Sequence, residues 1–181
     1  MLTYSMSVSV DGFIYDRDGS FDWGMPSDEL IAFQHEHVSS LGAYLLGRRL
    51  YETMLVWETD DELRKTESNA AFADFWTALP KIVFSRTRDR LQGNARFAQG
   101  SVAEEIAVAT ASTAKDISIG GADLAAQAIE LDLVDEFRIL RNPILVGGGQ
   151  PYFPPLPRGT ALNLVETRVF DNAVIFERYR R

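Results

Sequence analysis

Three short stretches of this chain combine glycine, hydroxyl and guanidinium groups in patterns suited to binding phosphate. They are Gly120-Gly121 with the following Ala122, Asp123 and Leu124, the tripeptide Gly47-Arg48-Arg49, and Ser85-Arg86-Thr87. Each comes directly after a short apolar run, so each reads as the end of a strand. Gly120 and Gly121 carry no Cβ, so a ligand can approach the main chain closely. The helical pattern that follows them begins with N–H groups that have no intrahelical partner, and such a helix end attracts phosphate. In the other two stretches the guanidinium fork of arginine supplies the matching geometry for phosphate oxygens. A dinucleotide with a pyrophosphate and an additional ribose phosphate would use all three. Gly147-Gly148-Gly149 is different: no Gly-Lys-Ser/Thr follows it, so it is not a P-loop.

A second candidate lies earlier. Ser27 is a good helix N-cap, Asp28 and Glu29 fall in the first turn, and Leu30, Phe33, His37, Val38 and Leu41 continue an amphipathic helix. Acids at that position ordinarily complement the helix dipole. Glu29 and Phe33 are four residues apart, however, and share a helix side. A carboxylate above an aromatic ring can hold the amide-like edge of a heterocycle while the ring packs on its face. His35 and His37 are two apart and point away from each other, a poor metal pair, and His37 belongs to the edge of the core. No metal site is expected.

These groups must be positioned by elements legible in the pattern. Leu2 to Val10 alternates, placing Thr3, Ser5, Ser7 and Ser9 on one face of a first strand and leaving room there for a flat ligand. Asp11-Gly12 and Asp18-Gly19 mark a loop long enough to be a lid. Short strands are expected at 42–46, 81–84, 96–98, 116–119 and 134–140, with helices at 50–54, through Phe72, Phe75 and Trp76, at 102–111 after Ser101, and from Leu124 onward. Glu58 to Ser68 reads as exposed loop. Asp171-Asn172 separates two final strands in a β-hairpin. Strands alternating with helices imply an α/β domain with a mostly parallel, mixed central sheet covered on both faces, whose ligands bind beyond the carboxyl ends of the strands.

Composition narrows the function. At 181 residues, 46% hydrophobic and 24% charged, the chain fits one globular domain over 1–181. It contains no cysteine, so disulfides, thiolate metal sites and cysteine nucleophiles are excluded. Neither a signal peptide nor an apolar run long enough to span a bilayer is legible, and a cytoplasmic protein is expected. A net charge of -8 argues against nucleic acid or an anionic membrane as partner.

The motifs in order carry a resemblance. Ser7-Val8-Ser9-Val10-Asp11-Gly12-Phe13-Ile14, Phe21-Asp22-Trp23, Leu46-Gly47-Arg48-Arg49-Leu50-Tyr51-Glu52, Lys81-Ile82-Val83-Phe84-Ser85-Arg86-Thr87, Gly120-Gly121-Ala122-Asp123-Leu124 and Pro143-Ile144-Leu145-Val146-Gly147-Gly148-Gly149 span nearly the whole chain. The chain resembles the dihydrofolate reductase fold, and more closely the reductase domain of the bifunctional deaminase-reductase of riboflavin biosynthesis and its stand-alone bacterial relatives. The resemblance implies a three-layer fold that binds NADPH. It places Gly47, Arg48, Arg49, Ser85, Arg86 and Thr87 around the adenosine side of the cofactor, and the helix end at Gly120, Gly121, Ala122, Asp123 and Leu124 at its pyrophosphate. Ser7 and Ile14 match positions near the nicotinamide. Trp23, Asp28, Glu29 and Phe33 match the substrate side, with Glu29 as the catalytic acid; counting from Pro26 selects Asp28 instead. The implied activity is reduction of a small heterocycle such as a ribosylaminopyrimidine, with dihydrofolate reduction and non-catalytic binding of NADPH or a flavin as alternatives. No zinc-deaminase signature is present, so only the reductase half is represented. A homodimer is implied as well, with Ile144, Leu145 and Val146 either near the subunit contact or wholly internal.

Overall fold

A computed structural model describes residues 1–24 and 27–181; the proline count that would favour Asp28 begins at Pro26, outside the described residues. The elements in chain order are β1 (Leu2–Ser9), β2 (Phe13–Tyr15), α1 (Asp28–Ser39), β3 (Ala43–Gly47), α2 (Arg48–Met54), α3 (Val56–Thr59), a 3-10 turn (Asp61–Arg64), α4 (Glu67–Ala78), β4 (Lys81–Phe84) and β5 (Ala95–Phe97). There follow α5 (Val102–Ser112), β6 (Ile117–Gly120), α6 (Ala122–Glu130), β7 (Glu136–Asn142), β8 (Gln150–Pro151), β9 (Asn163–Val169) and β10 (Ile175–Arg180). Eight strands form one sheet in the order β5-β4-β3-β6-β1-β7-β10-β9. From β5 to β7 every neighbouring pair is parallel, while β10 runs antiparallel to both β7 and β9. This is the α/β architecture expected, with the terminal hairpin as its antiparallel edge.

Side chains alternate across the sheet with the period of two that strands impose. Leu2, Tyr4, Val8, Leu45, Ile117, Ile119, Phe137 and Ile139 face α5 and α6 and form the larger core with Ile106, Leu124, Ala125 and Ile129. On the opposite face Tyr44, Leu46 and Val83 pack against Tyr51, Phe72 and Trp76 from α2 and α4. Leu140 and Phe176 receive Leu30 and Phe33 of α1, together with Phe170 and Val174 of the hairpin. Between these last two clusters the sheet presents the small residues of β1, and there the layers do not close.

The helix starts follow the sequence signals. Ser27 accepts a hydrogen bond from the Leu30 N–H, and Ser101 forms a reciprocal capping box with Glu104. The stretch from Glu58 to Ser68 departs from its expectation as exposed loop: it contains the second half of α3, the 3-10 turn and the start of α4. The reason is a buried ion pair. Glu58, with its side chain 6% exposed, reaches Lys81 Nζ at 3.0 Å, and the Lys81 side chain is fully buried. Lys81 also donates to the carbonyls of Trp76 and Leu79, so a charge that periodicity assigns to a surface is used to pin α3 and the end of α4 onto β4. Burial holds the Lys81 ammonium below its ordinary pKa despite Glu58. Among the described residues, no helix is long and apolar enough to cross a membrane.

Candidate active site

Parallel register brings the three phosphate-suited stretches to one edge. Gly47 lies beside Phe84 on one side, and Leu46 lies beside Gly120 on the other, so β4, β3 and β6 end next to each other. The two glycine turns touch: a Cβ on Gly121 would sit 3.4 Å from Gly47 Cα, and Gly121 has a φ of 93°, a conformation that favours glycine. Gly120 is constrained differently, since a Cβ there would run into the side chain of Leu50 and the hydroxyl of Tyr44. Helix α6 begins at Ala122 with Asp123 exposed and Leu124 buried in the core, and no side chain caps its N-terminus.

Arg48, at the start of α2, and Arg86, just beyond β4, are exposed and have no partner among the described residues. Arg90 shares that freedom, but Arg48 and Arg86 are the two that directly follow β3 and lie just beyond β4. Arg49 donates to the Tyr15 hydroxyl at 3.4 Å. Ser85 accepts from the N–H groups of Thr87 and Arg88, which turns the chain and leaves Thr87 exposed beside Arg86. The expected cofactor-binding residues of these three stretches therefore converge, and their glycines, free guanidiniums and uncapped helix end fit a phosphorylated dinucleotide.

Next to this edge, between the sheet and helices α1, α2, α3 and α4, lies a cavity of about 460 Å³. Its floor is the hydroxyl face of β1, Thr3, Ser5 and Ser7, continued by Ser118 and Tyr44 on β6 and β3. Its roof is aromatic and apolar, with Leu50, Trp57, Phe72 and Trp76 prominent. The volume is that of a small-molecule site. Thr3 Oγ1 is buried with no hydrogen-bond partner among the described residues. Leu50 belongs to both regions, because it roofs the cavity and abuts Gly120.

Ser7 lines this cavity, but Ile14, its expected companion near the nicotinamide, is 7% exposed and packs in the core on the other face of the sheet. Phe33 lines the cavity as well, meeting Phe170 and Phe176 edge-on and His37 at a tilt. Trp23 is half-buried with its Nε1 unpartnered among the described residues, and it does not line the cavity; Asp28 is exposed.

Glu29 requires a correction. The role of catalytic acid on the substrate side requires its carboxylate to face the cavity. Its side chain is 38% exposed and does not line the cavity; it accepts from Arg168 at 2.6 Å and from the Asp171 N–H at 3.0 Å. Glu29 and Phe33 do share a helix side, but that side turns toward the terminal hairpin, and Arg168 lies over the rings of Phe33 and Phe170. We therefore expect Glu29→Gln to leave any turnover within about twofold and to lower stability by up to ~1 kcal/mol, the range of a partly exposed ion pair. Chemical denaturation and steady-state rates of the same variant check this. A tenfold loss of rate at unchanged stability would restore the catalytic role.

Sequence reasoning missed other cavity residues. His35 and His37 point to different neighbours, yet both line the cavity: His35 stacks on Phe72 at 4.1 Å, and the His37 ring lies tilted against Phe33 at 4.2 Å. Burial holds both imidazoles below their ordinary pKa, and for His37 the nearby Arg138 charge acts in the same direction, so both rings are neutral at pH 7. Arg138 also lines the cavity with its side chain 11% exposed, and its Nε donates to Glu136 at 2.6 Å. The available signal was alternation in β7, which puts Glu136, Arg138 and Leu140 on one interior face; two charges on such a face call for a reason.

Comparison with known proteins bears on this arrangement. The model of the RibD C-terminal domain matches residues 1–176. The chain is 30% identical over 174 residues to the Bacillus subtilis (strain 168) protein YyaP, covering 94% of this chain and 89% of that one. Among solved structures, a putative riboflavin biosynthesis protein from Shewanella sp. PV-4 superposes with a TM-score of 0.78 at 24% identity, covering 99% of this chain and 98% of the other. A diaminohydroxyphosphoribosylaminopyrimidine deaminase/5-amino-6-(5-phosphoribosylamino)uracil reductase from Thermotoga maritima superposes with a TM-score of 0.66 at 18% identity, covering 99% of this chain and 56% of that larger one.

Proposed function

The chain belongs to the RibD C-terminal domain family, and on that premise we propose that it is an NADPH-dependent reductase of a small heterocyclic substrate. The observation that carries this reading is the contact between the glycine turns at Gly47 and Gly121, with the unpaired Arg48 and Arg86 on the same edge and a closed-floor cavity alongside. Arg48, Arg86 and Thr87 would hold the adenosine side of the cofactor, and the start of α6 its pyrophosphate. When bound, the cofactor supplies the hydride. The chain's own part is to align the two ligands and to exclude water from between them, which the aromatic roof over the hydroxyl floor is suited to do. Dihydrofolate reduction draws no support from this site, because Glu29 is held by Arg168 rather than offered to a pterin ring.

The test is a titration of NADPH followed by its intrinsic fluorescence, then its consumption on addition of pyrimidine and pteridine compounds. Binding at micromolar concentration with substrate-dependent consumption is the expected result. Binding without consumption across the panel would favour a non-catalytic binder, and no binding at millimolar NADPH would overturn the reading altogether.

The same reading includes a homodimer in the cytoplasm. The outer strand β9 has a free edge and exposes Leu164 (57%), Val165 (41%) and Val169 (67%), an aggregation-prone arrangement unless it is covered. Leu145 is 73% exposed, so it is not internal core. Light scattering is expected to give twice the chain mass of 20.3 kDa; a single-chain mass maintained across a hundredfold range of protein concentration would reject the dimer.

A further inference from the structure

We propose that Lys81 and Glu58 are positioning residues: the buried pair holds the two tryptophans of the cavity roof, Trp57 on α3 and Trp76 on α4, in place over the hydroxyl floor, although neither partner lines the cavity. The consequence for turnover rests on the reductase reading; the placement of the roof does not.

An ammonium group has three N–H donors and no acceptor. At Lys81 they serve the two roof helices: the carbonyls of Trp76 and Leu79 accept from it, the latter at 3.2 Å, and the Glu58 carboxylate lies 3.0 Å away. The Trp76 carbonyl needs such a donor, because the residue four positions on is Pro80, which has no N–H to close the last turn of α4. The Lys81 charge also lies 5.0 Å from the centre of the Trp76 ring. Helix α3 has only four residues, none of them fully buried. It reaches the interior through the Glu58 side chain, 6% exposed, and through Trp57, whose ring meets Phe72 edge-on at 4.6 Å. Room for the carboxylate is built into the β4–β5 connection: Gly93 has a φ of 65°, and a Cβ there would fall on the Glu58 carboxylate.

Stability alone does not account for these two charges. Apolar side chains of similar volume in place of a buried ion pair are often neutral or stabilising. What the pair supplies and such side chains lack is direction, since an ammonium tied to two carbonyls and a carboxylate fixes where α3 and the end of α4 stand, whereas an unbranched apolar chain fills the same space in many ways. Lys81 opens β4, and the phosphate-suited Ser85-Arg86-Thr87 lies beyond the other end of that strand. The pair therefore acts on the roof and not on the cofactor edge.

The decisive variant is the double substitution Lys81→Met with Glu58→Met, made in a Trp23→Phe background so that tryptophan emission comes from Trp57 and Trp76 alone. Its melting temperature is expected within about 4 °C of the background protein. The constant for quenching of its emission by acrylamide is expected to rise about threefold, as α3 opens locally with the fold intact. Glu58→Gln in the same background is expected to do the reverse. Its amide oxygen still accepts from Lys81, so quenching stays at the background value, while the buried ammonium loses its counter-charge and the melting temperature falls by roughly 5 to 10 °C. With Trp23 in place, the double variant is expected to bind NADPH within about twofold of the parent and to lose about tenfold or more in substrate-dependent NADPH consumption, since small misplacements by residues far from the chemistry cost rate on that scale. Quenching that follows melting temperature from variant to variant would make the pair a stability element only and overturns the proposal. So does a double variant that fails to fold, or one whose roof loosens while turnover stays within about twofold of the parent. A parent protein that binds no NADPH removes the reductase reading and leaves the quenching comparison to decide where the roof is held; NADPH binding with a failed quenching comparison removes this inference alone.

Discussion

Alanine at both Arg48 and Arg86 is expected to weaken NADPH by about a hundredfold and NADH by less than threefold. Among the described residues the two guanidiniums have no internal partner, so removing them breaks no ion pair there. Their loss falls on whatever phosphate they bind. A hydrogen bond to a charged group contributes roughly 1.5 to 3 kcal/mol, and exposure argues for the lower end, so two such contacts come to about 3 kcal/mol, or about two orders of magnitude. NADH lacks the additional ribose phosphate and should not register the change. Arg88→Ala is the matched control: Arg88 is tied to Glu52 at 3.0 Å and lies over the Tyr51 ring, so its removal should lower stability without altering the preference between cofactors. Because these are surface charges, the gap between NADPH and NADH should narrow as ionic strength rises. Equal weakening of both cofactors in the double variant would show that the arginines do not distinguish them.

Local signals survived well. The strand-to-glycine-to-helix junctions, the Ser27 and Ser101 caps and the hydroxyl face of β1 all stand where periodicity and turn chemistry put them, because each is decided by residues a few positions apart. The convergence of Gly47 with Gly121 was legible as a coincidence of three strand ends, although the contact itself depends on β3 pairing with β6. Failures occurred where a side chain is committed to a distant partner. Glu29 has the right spacing from Phe33 to serve a ligand, but Arg168, 139 residues away, takes its carboxylate. Glu58 sits in an acidic, polar stretch with nothing local to distinguish it, and only the packing of α3 against β4 makes it a buried ion-pair partner. Likewise, no window of sequence places His37 and Arg138 in one cavity, since that requires α1 to cross over β7. Helix and strand positions can thus be read from patterning, while the polar interior of a site is fixed by register and crossover.

Glu136 is the clearest case of such an interior group, and its removal should have the largest effect on stability. The carboxyl group is wholly buried and bridges two arginines, with Arg138 Nε at 2.6 Å and Arg180 Nε at 2.7 Å, one on its own strand and one directly opposite on β10. Burial by itself would raise its pKa; the hydrogen bond from Arg180 and the charge and hydrogen bond of Arg138 outweigh that and hold it below the ordinary carboxylate range. Glu136→Gln keeps the shape but leaves Arg138 buried without a counter-charge. Breaking a buried pair in this way costs about 3 to 5 kcal/mol. For a chain of this length, that corresponds to a fall in melting temperature of roughly 6 to 20 °C at pH 7. The sign of the pH dependence follows from the lowered pKa. The stabilisation by Glu136 is complete above its unfolded value of about 4.3 and is lost as pH falls through the lower folded value. The difference between the parent protein and the variant should therefore be constant from neutrality to about pH 5 and shrink below about pH 4. Melting curves of both proteins across that interval test it. A difference that is small at pH 7, or one that grows on acidification, would mean that Glu136 is not ionised in the folded protein.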